Sequence, residues 1–162
     1  MHIGTAQVHA HYSQFSLEPE SPPRDQVPFQ DPRENAQGFS AFGTLAGVAT
    51  PSDTGDCDVT VERLDEMPEI EGAVQAVAFP LKLVDGTLFL RDVNGSDRGR
   101  FDVPSGDHDV LVRFFPREAG AEDAEAGLRS WHIVITVLPA GTAAPRCFRL
   151  EHGDPPGELF TH

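Results

Sequence analysis

No stretch of the sequence approaches the run of about 18 apolar residues that a membrane-crossing helix requires, so membrane insertion is not expected. Residues 1–12 hold three histidines and no apolar run of the length a secretory leader needs, which points to a cytoplasmic protein. Cysteine is scarce. Cys57 and Cys147 make neither a CxxC pair nor a dense framework, so a structural zinc and a disulfide scaffold both lack support, and two buried free thiols are expected. Basic residues are few as well: 12 Lys and Arg stand against 26 Asp and Glu, a formal net charge of −14. A chain so charged repels phosphates, which disfavours direct contact with nucleic acid.

What is present fits a packed β fold. Hydrophobic residues make up 39% of the 162 residues and include eleven Phe, enough for a core and too apolar for wholesale disorder. Fourteen Pro and fifteen Gly are spread along the chain and cut it into short segments, as strands joined by turns require. The length suits one domain, 1–162.

Alternation of apolar and polar residues predicts strands over 5–17, 38–49, 57–64, 100–103, 109–116, 130–138 and 146–150. Residues 76–83 and 87–93, separated by Asp85-Gly86, read as a hairpin, because that dipeptide accepts the positive φ angles of a tight turn. Residues 18–37 carry five prolines and read as a long surface connection with little regular structure. Gly120 and Gly127 limit 119–128 to one short acidic helical turn. The expected fold is all-β, an antiparallel β-sandwich of about eight or nine strands with little helix. Its expected core is Val59, Val61, Val77, Phe79, Leu81, Leu88, Phe101, Val110, Val112, Phe114, Trp131, Ile133 and Ile135. The face choice in 87–93 is open, since Leu88, Phe89 and Leu90 are consecutive apolar residues.

The acidic residues are unevenly placed. Residues 51–72 hold Asp53, Asp56, Asp58, Glu62, Asp65, Glu66, Glu69 and Glu71 with Arg63 as the sole cation, a net of −7. Residues 118–127 add Glu118, Glu122, Asp123 and Glu125 with no cation, so the two segments carry −11 of the −14. In 57–64 the pattern turns Cys57, Val59 and Val61 inward and Asp58, Thr60 and Glu62 to water.

Candidate catalytic and metal residues fare poorly. His9 and His11 at i and i+2 on a strand project the same way and could share a metal, as a cupin site begins, and Pro104-x-Gly106-x-His108 loosely echoes the second cupin motif. Both spacings are wrong for it: no acid follows until Glu18, the proline-to-histidine interval is one residue short, and the two segments lie about 90 residues apart. There is no GxSxG elbow, no phosphate-binding glycine loop opening a helix, and nothing beside Cys57 that marks activation. Asp53-Thr-Gly-Asp56-Cys-Asp58 lacks the ordered ligands and terminal Glu of a calcium loop. No enzyme activity, metal or cofactor is therefore expected.

Four segments taken in order carry a family resemblance: Tyr12-Ser-Gln-Phe15, then Gly38-Phe-Ser-Ala-Phe-Gly43, then AVQAVAFPLKLVDGTLFL from Ala73 to Leu90, then FDVPSGDHDVLVRF from Phe101 to Phe114. Together they resemble the ComJ family of inhibitors, over most of Tyr12 to Leu138. His108 stands where that family usually has Tyr, Ser105 fills a variable slot, and residues 139–162 extend beyond the pattern. The resemblance implies a protein that binds and silences a sugar-nonspecific nuclease acting where DNA enters the cell. The charge suits that role independently. A nuclease cleft is basic to hold phosphates, and carboxylates on a rigid strand, recurring at about 6.8 Å, fit successive cationic subsites. The expected partner is thus a basic nuclease, met by a monomer through the twelve carboxylates above. The alternatives are a cupin-like metal-binding enzyme, or an acidic adaptor sandwich whose charge serves only solubility.

Overall fold

The computed structural model describes residues 1–10, 13–149 and Leu159. Among these, eleven strands and two short helices form two packed sheets. The strands are β1 (His2–His9), β2 (Gln14–Glu18), β3 (Phe39–Ala41), β4 (Ala46–Ala49), β5 (Asp56–Arg63), β6 (Gln75–Leu83), β7 (Thr87–Asp92), β8 (Asp97–Asp102), β9 (Gly106–Arg117), β10 (Ser130–Pro139) and β11 (Arg146–Arg149). The helices are α1 (Pro32–Gln37) and α2 (Ala121–Glu125). One sheet runs β1-β5-β10-β9-β6-β11 and the other β3-β4-β2-β7-β8. Pairing is antiparallel except between β5 and β10, which run parallel with Val59 beside Ile133.

All thirteen expected core residues are buried in one cluster between the sheets. The phenylalanines bind the layers together: Phe39 of β3 stacks on Phe79 of β6 at 5.3 Å between ring centroids, and Phe15 of β2 meets Phe114 of β9 at 6.5 Å. In β7, Leu88 and Leu90 enter this core. Phe89 takes the other face, under the guanidinium of Arg91 at 4.6 Å.

The expected hairpin does not form. β6 lies in the six-stranded sheet between β9 and β11, whereas β7 lies in the five-stranded sheet between β2 and β8. Residues 84–86 therefore arch from one sheet to the other. Gly86 takes φ 75°, and the Asp85 carboxylate accepts from the Thr87 N–H at 3.2 Å. The link from β8 to β9 arches the same way, and the Val103 N–H donates to the Gly86 carbonyl at 3.0 Å, tying the two arches. An Asp-Gly turn reverses the chain equally well in either setting; here Leu81, Leu83, Leu88 and Leu90 all seek one interior, which the arch permits.

The first expected strand, 5–17, is likewise two: β1 joins the six-stranded sheet and β2 the other. The proline-rich connection is also more ordered than expected. Pro32 opens α1, where a missing N–H costs nothing, and the Asp31 carboxylate caps the helix while Glu34 returns a bond to the Asp31 N–H at 3.0 Å. Upstream, Pro28 and Phe29 press on β4 at Gly47, where a Cβ would stand 2.5 Å from the Pro28 Cβ. Gly47→Ala is expected to lift this segment off the sheet and cost about 1–3 kcal/mol. Thermal unfolding together with protease sensitivity at 19–30 checks it.

A buried polar cluster pins the start of the same connection. Arg91, with a side chain 10% exposed, donates to Glu18 at 3.1 Å, to the carbonyls of Pro19 and Glu20 at 3.0 Å, and to Asp97. Burial pushes the Glu18 carboxyl above its ordinary range, against the opposing pull of Arg91. In the neighbouring β7–β8 turn, burial would also raise Asp92, but bonds from Arg98 and from the Ser96 and Asn94 N–H groups hold it low.

Candidate functional site

The fold divides the acidic segment 51–72 into three parts. The first is the carboxylates on β5. Asp58 and Glu62 point to the outer face of the six-stranded sheet, as the period predicts, yet they do not stand free in water. Asp58 accepts from Arg117 of β9 at 3.0 Å and from Gln7 of β1 at 3.0 Å. Glu62 accepts from Arg113 of β9 at 2.9 Å and from Thr136 of β10 at 2.8 Å. Arg113 is only 12% exposed, and burial depresses its pKa against the attraction of Glu62. Both carboxylates are thus neutralised by arginines that sequence distance hides. Glu62→Gln is expected to destabilise by about 1–3 kcal/mol by weakening the pairing of a largely buried guanidinium, a fall of roughly 3–10 °C in Tm. Calorimetry checks it.

The second part is the crossover 64–74, which leaves β5 and returns over the outer sheet face to β6. Leu64, Met67 and Ile70 pack there on Ala76, Ala78, Leu111 and Leu138, and Arg113 donates to the Glu69 carbonyl at 3.0 Å. Asp65, Glu66, Glu69 and Glu71 ride on it, exposed. Asp65 and Glu66 follow the far end of β5, whose eight residues set Arg63 about 23 Å from Asp56.

The third part is a tip at the other end of β5. Here the loop 50–55 meets the β9–β10 connection, which contains α2. The Arg129 N–H donates to the Asp53 carbonyl at 3.0 Å, the Gly55 N–H to the Arg129 carbonyl at 3.0 Å, and the Asp56 N–H to the Asp123 carboxylate at 2.8 Å. Trp131 anchors the loop from the core, donating its indole N–H to the Thr54 hydroxyl at 2.9 Å. Asp53, Asp56, Glu118, Glu122, Asp123 and Glu125, widely separated in sequence, thereby share one end of the sandwich with Arg129. Asp56 meets His9 Nδ1 at 2.8 Å, with its own side chain still 71% exposed. Gly55 and Arg129 have no role in the sequence pattern, and Trp131, expected in the core, also anchors the loop; the bonds they make across the tip are long-range in the chain.

Burial pushes the Cys57 thiol up to about 11, which leaves it a poor nucleophile. His108 is buried and shares a hydrogen bond with the Pro104 carbonyl at 2.7 Å. Among the described residues no three His, Cys, Asp or Glu side chains are placed to hold a metal. His11, the second candidate ligand, lies outside them. Nor does any helix among the described residues have the length and apolarity to cross a membrane.

Comparison with known proteins follows the same line. The family model described as Competence protein J (ComJ) matches residues 7–136. No curated protein matches the chain in sequence. Among solved structures, the chain is similar to ComJ of Bacillus subtilis, an inhibitor of the DNA-degrading activity of NucA. The likeness has a TM-score of 0.63 at 12% identity and covers 86% of this chain and 98% of that one. It is also similar to the product of crocagin biosynthetic gene J, with a TM-score of 0.51 at 13% identity over 86% of this chain and 99% of the other. At such identities these two likenesses concern the fold.

Proposed function

The chain belongs to the competence protein J (ComJ) family, and from that membership we propose that it is an inhibitor, not an enzyme, which binds a basic nuclease and bars DNA from its cleft. The observation that carries the finer reading is the tip, where the loop 50–55 is bonded to the β9–β10 connection, so that carboxylates from two distant segments share one end of the sandwich. A cleft built for phosphates presents cations at a spacing such a surface can meet, and opposite fields speed association and reject other partners. The crossover acids lend a longer-range field; Asp58 and Glu62, already paired with arginines, contribute little to it. The protein acts in the cytoplasm as a monomer until it meets the nuclease.

The test is cleavage of double-stranded DNA by the NucA-type nuclease of the same organism, with and without the purified chain, over a range of salt. Stoichiometric inhibition is expected at low ionic strength, weakening as the screening length falls from about 8 Å at 0.15 M to about 3 Å at 1 M. Inhibition indifferent to salt would assign the contact to apolar surface.

A further inference from the structure

We propose that Asp123 and Gly55 form a clasp that sets the geometry of the tip, with Asp123 acting as a positioning residue through its hydrogen bond and not through its charge. The inference rests on the inhibitor reading above and adds to it the device that makes the surface rigid.

Helix α2 has nothing of its own to hold it in place. It is five residues long, too short to persist unaided; its N-cap is Gly120, which offers no side-chain cap, and none of its residues is buried. Glu122 and Glu125 ride on this helix, so their positions follow whatever ties it down. The Asp123 carboxylate supplies that tie by accepting the Asp56 N–H at 2.8 Å, across 67 residues of sequence. The backbone of the same residue closes the helix end separately, accepting the Leu128 N–H at 2.8 Å. Gly55 makes room: a Cβ there would stand 2.2 Å from Oδ2 and 2.6 Å from Oδ1 of Asp123. Any side chain at 55 would swing the short Asp123 side chain away before it moved the strand. Residues 53–56 meanwhile remain fastened by Arg129 and Trp131, so the clasp can open without unfolding the sheet. A surface that is already ordered loses less entropy on binding than one that must be ordered by its partner.

Three variants of the full chain separate geometry from charge. Asp123→Asn and Asp123→Ala remove the same charge, but only Asn keeps an oxygen to accept the Asp56 N–H. Gly55→Ala keeps the charge and evicts the carboxylate. Each is measured for amide exchange at Asp56, for Tm, and for inhibition of the NucA-type nuclease cleaving DNA. The expected result is that Asp123→Asn inhibits within about threefold of the parent, while Asp123→Ala and Gly55→Ala, still folded at the assay temperature, inhibit about tenfold less well. Exchange at Asp56 should quicken in those two alone. Asp123→Asn as weak as Asp123→Ala, or Gly55→Ala as strong as the parent, overturns the clasp. A parent chain that leaves the nuclease uninhibited overturns the reading beneath it, and this is seen before any substitution is compared.

Discussion

Reversing three carboxylates at the tip, Asp53→Lys, Glu122→Lys and Glu125→Lys together, is expected to weaken inhibition by at least about 100-fold at physiological salt. All three side chains are exposed and none holds the fold together. Charge pairs in close protein interfaces are coupled by about 1.5 kcal/mol or more, and reversal replaces each attraction by a repulsion, so three sites readily exceed the 2.7 kcal/mol that a hundredfold represents. Most of the loss should fall on the association rate at low salt. Stability should hold or rise, since the substitutions relieve crowding among like charges. Stopped-flow association and a melting curve on the same preparation check both halves. The matching triple on the crossover, Asp65→Lys, Glu66→Lys and Glu69→Lys, changes net charge equally and should cost far less.

The largest expected effect on stability lies on the opposite sheet. Arg91→Met should destabilise by about 3–5 kcal/mol, roughly 6–20 °C in Tm, because it strands Glu18 as an unpaired buried carboxylate and leaves two backbone carbonyls without their donor. The deficit should depend on pH with a defined sign. Burial already raises the Glu18 pKa in the folded protein, and losing Arg91 raises it further. A carboxyl with a raised folded pKa favours the folded state below its unfolded pKa, and that contribution is lost as pH rises through the folded value. The variant should therefore lie closer to the parent in mild acid than at pH 7. Glu18→Gln in the same background should restore part of the loss at pH 7, and a deficit flat with pH would show that packing, not charge, dominates.

These expectations depend on how far the sequence could be read. The core was legible because each of its strands buries one parity of residues against a shared interior: Val59 and Val61, or Val110, Val112 and Phe114, announce themselves by period alone. The partner of a strand is another matter. Asp85-Gly86 marks a reversal of the chain, but whether the next strand pairs within the sheet or arches to the other depends on what β7 finds there, namely β2 and β8. The Asp31 and Glu34 pair that caps α1 lies among prolines, which mark breaks in regular structure more strongly than a lone capping pair marks a helix.

The site shows the same limit. A run of −7 looks like one surface when counted along the chain, and the fold spends it three ways. Arg113 and Arg117, about 50 to 60 residues from the acids they pair with, neutralise the β5 carboxylates; Asp65 and Glu66 follow the far end of β5 on the crossover; and Asp53 and Asp56 are joined by α2 from residue 121 onward. Charge counting located the two acidic segments. Only strand order, with β5 beside β10 and β9 next to it, brings them to one end.

Amide exchange of the full chain, free and in complex with the NucA-type nuclease, tests most directly whether the tip is the inhibitory surface. Added protection should appear at residues 53–56 and 118–129, with the start of the crossover, 64–67, and the five-stranded sheet unchanged. Protection confined to that sheet or to 64–67, with the tip exchanging as in the free protein, would contradict it.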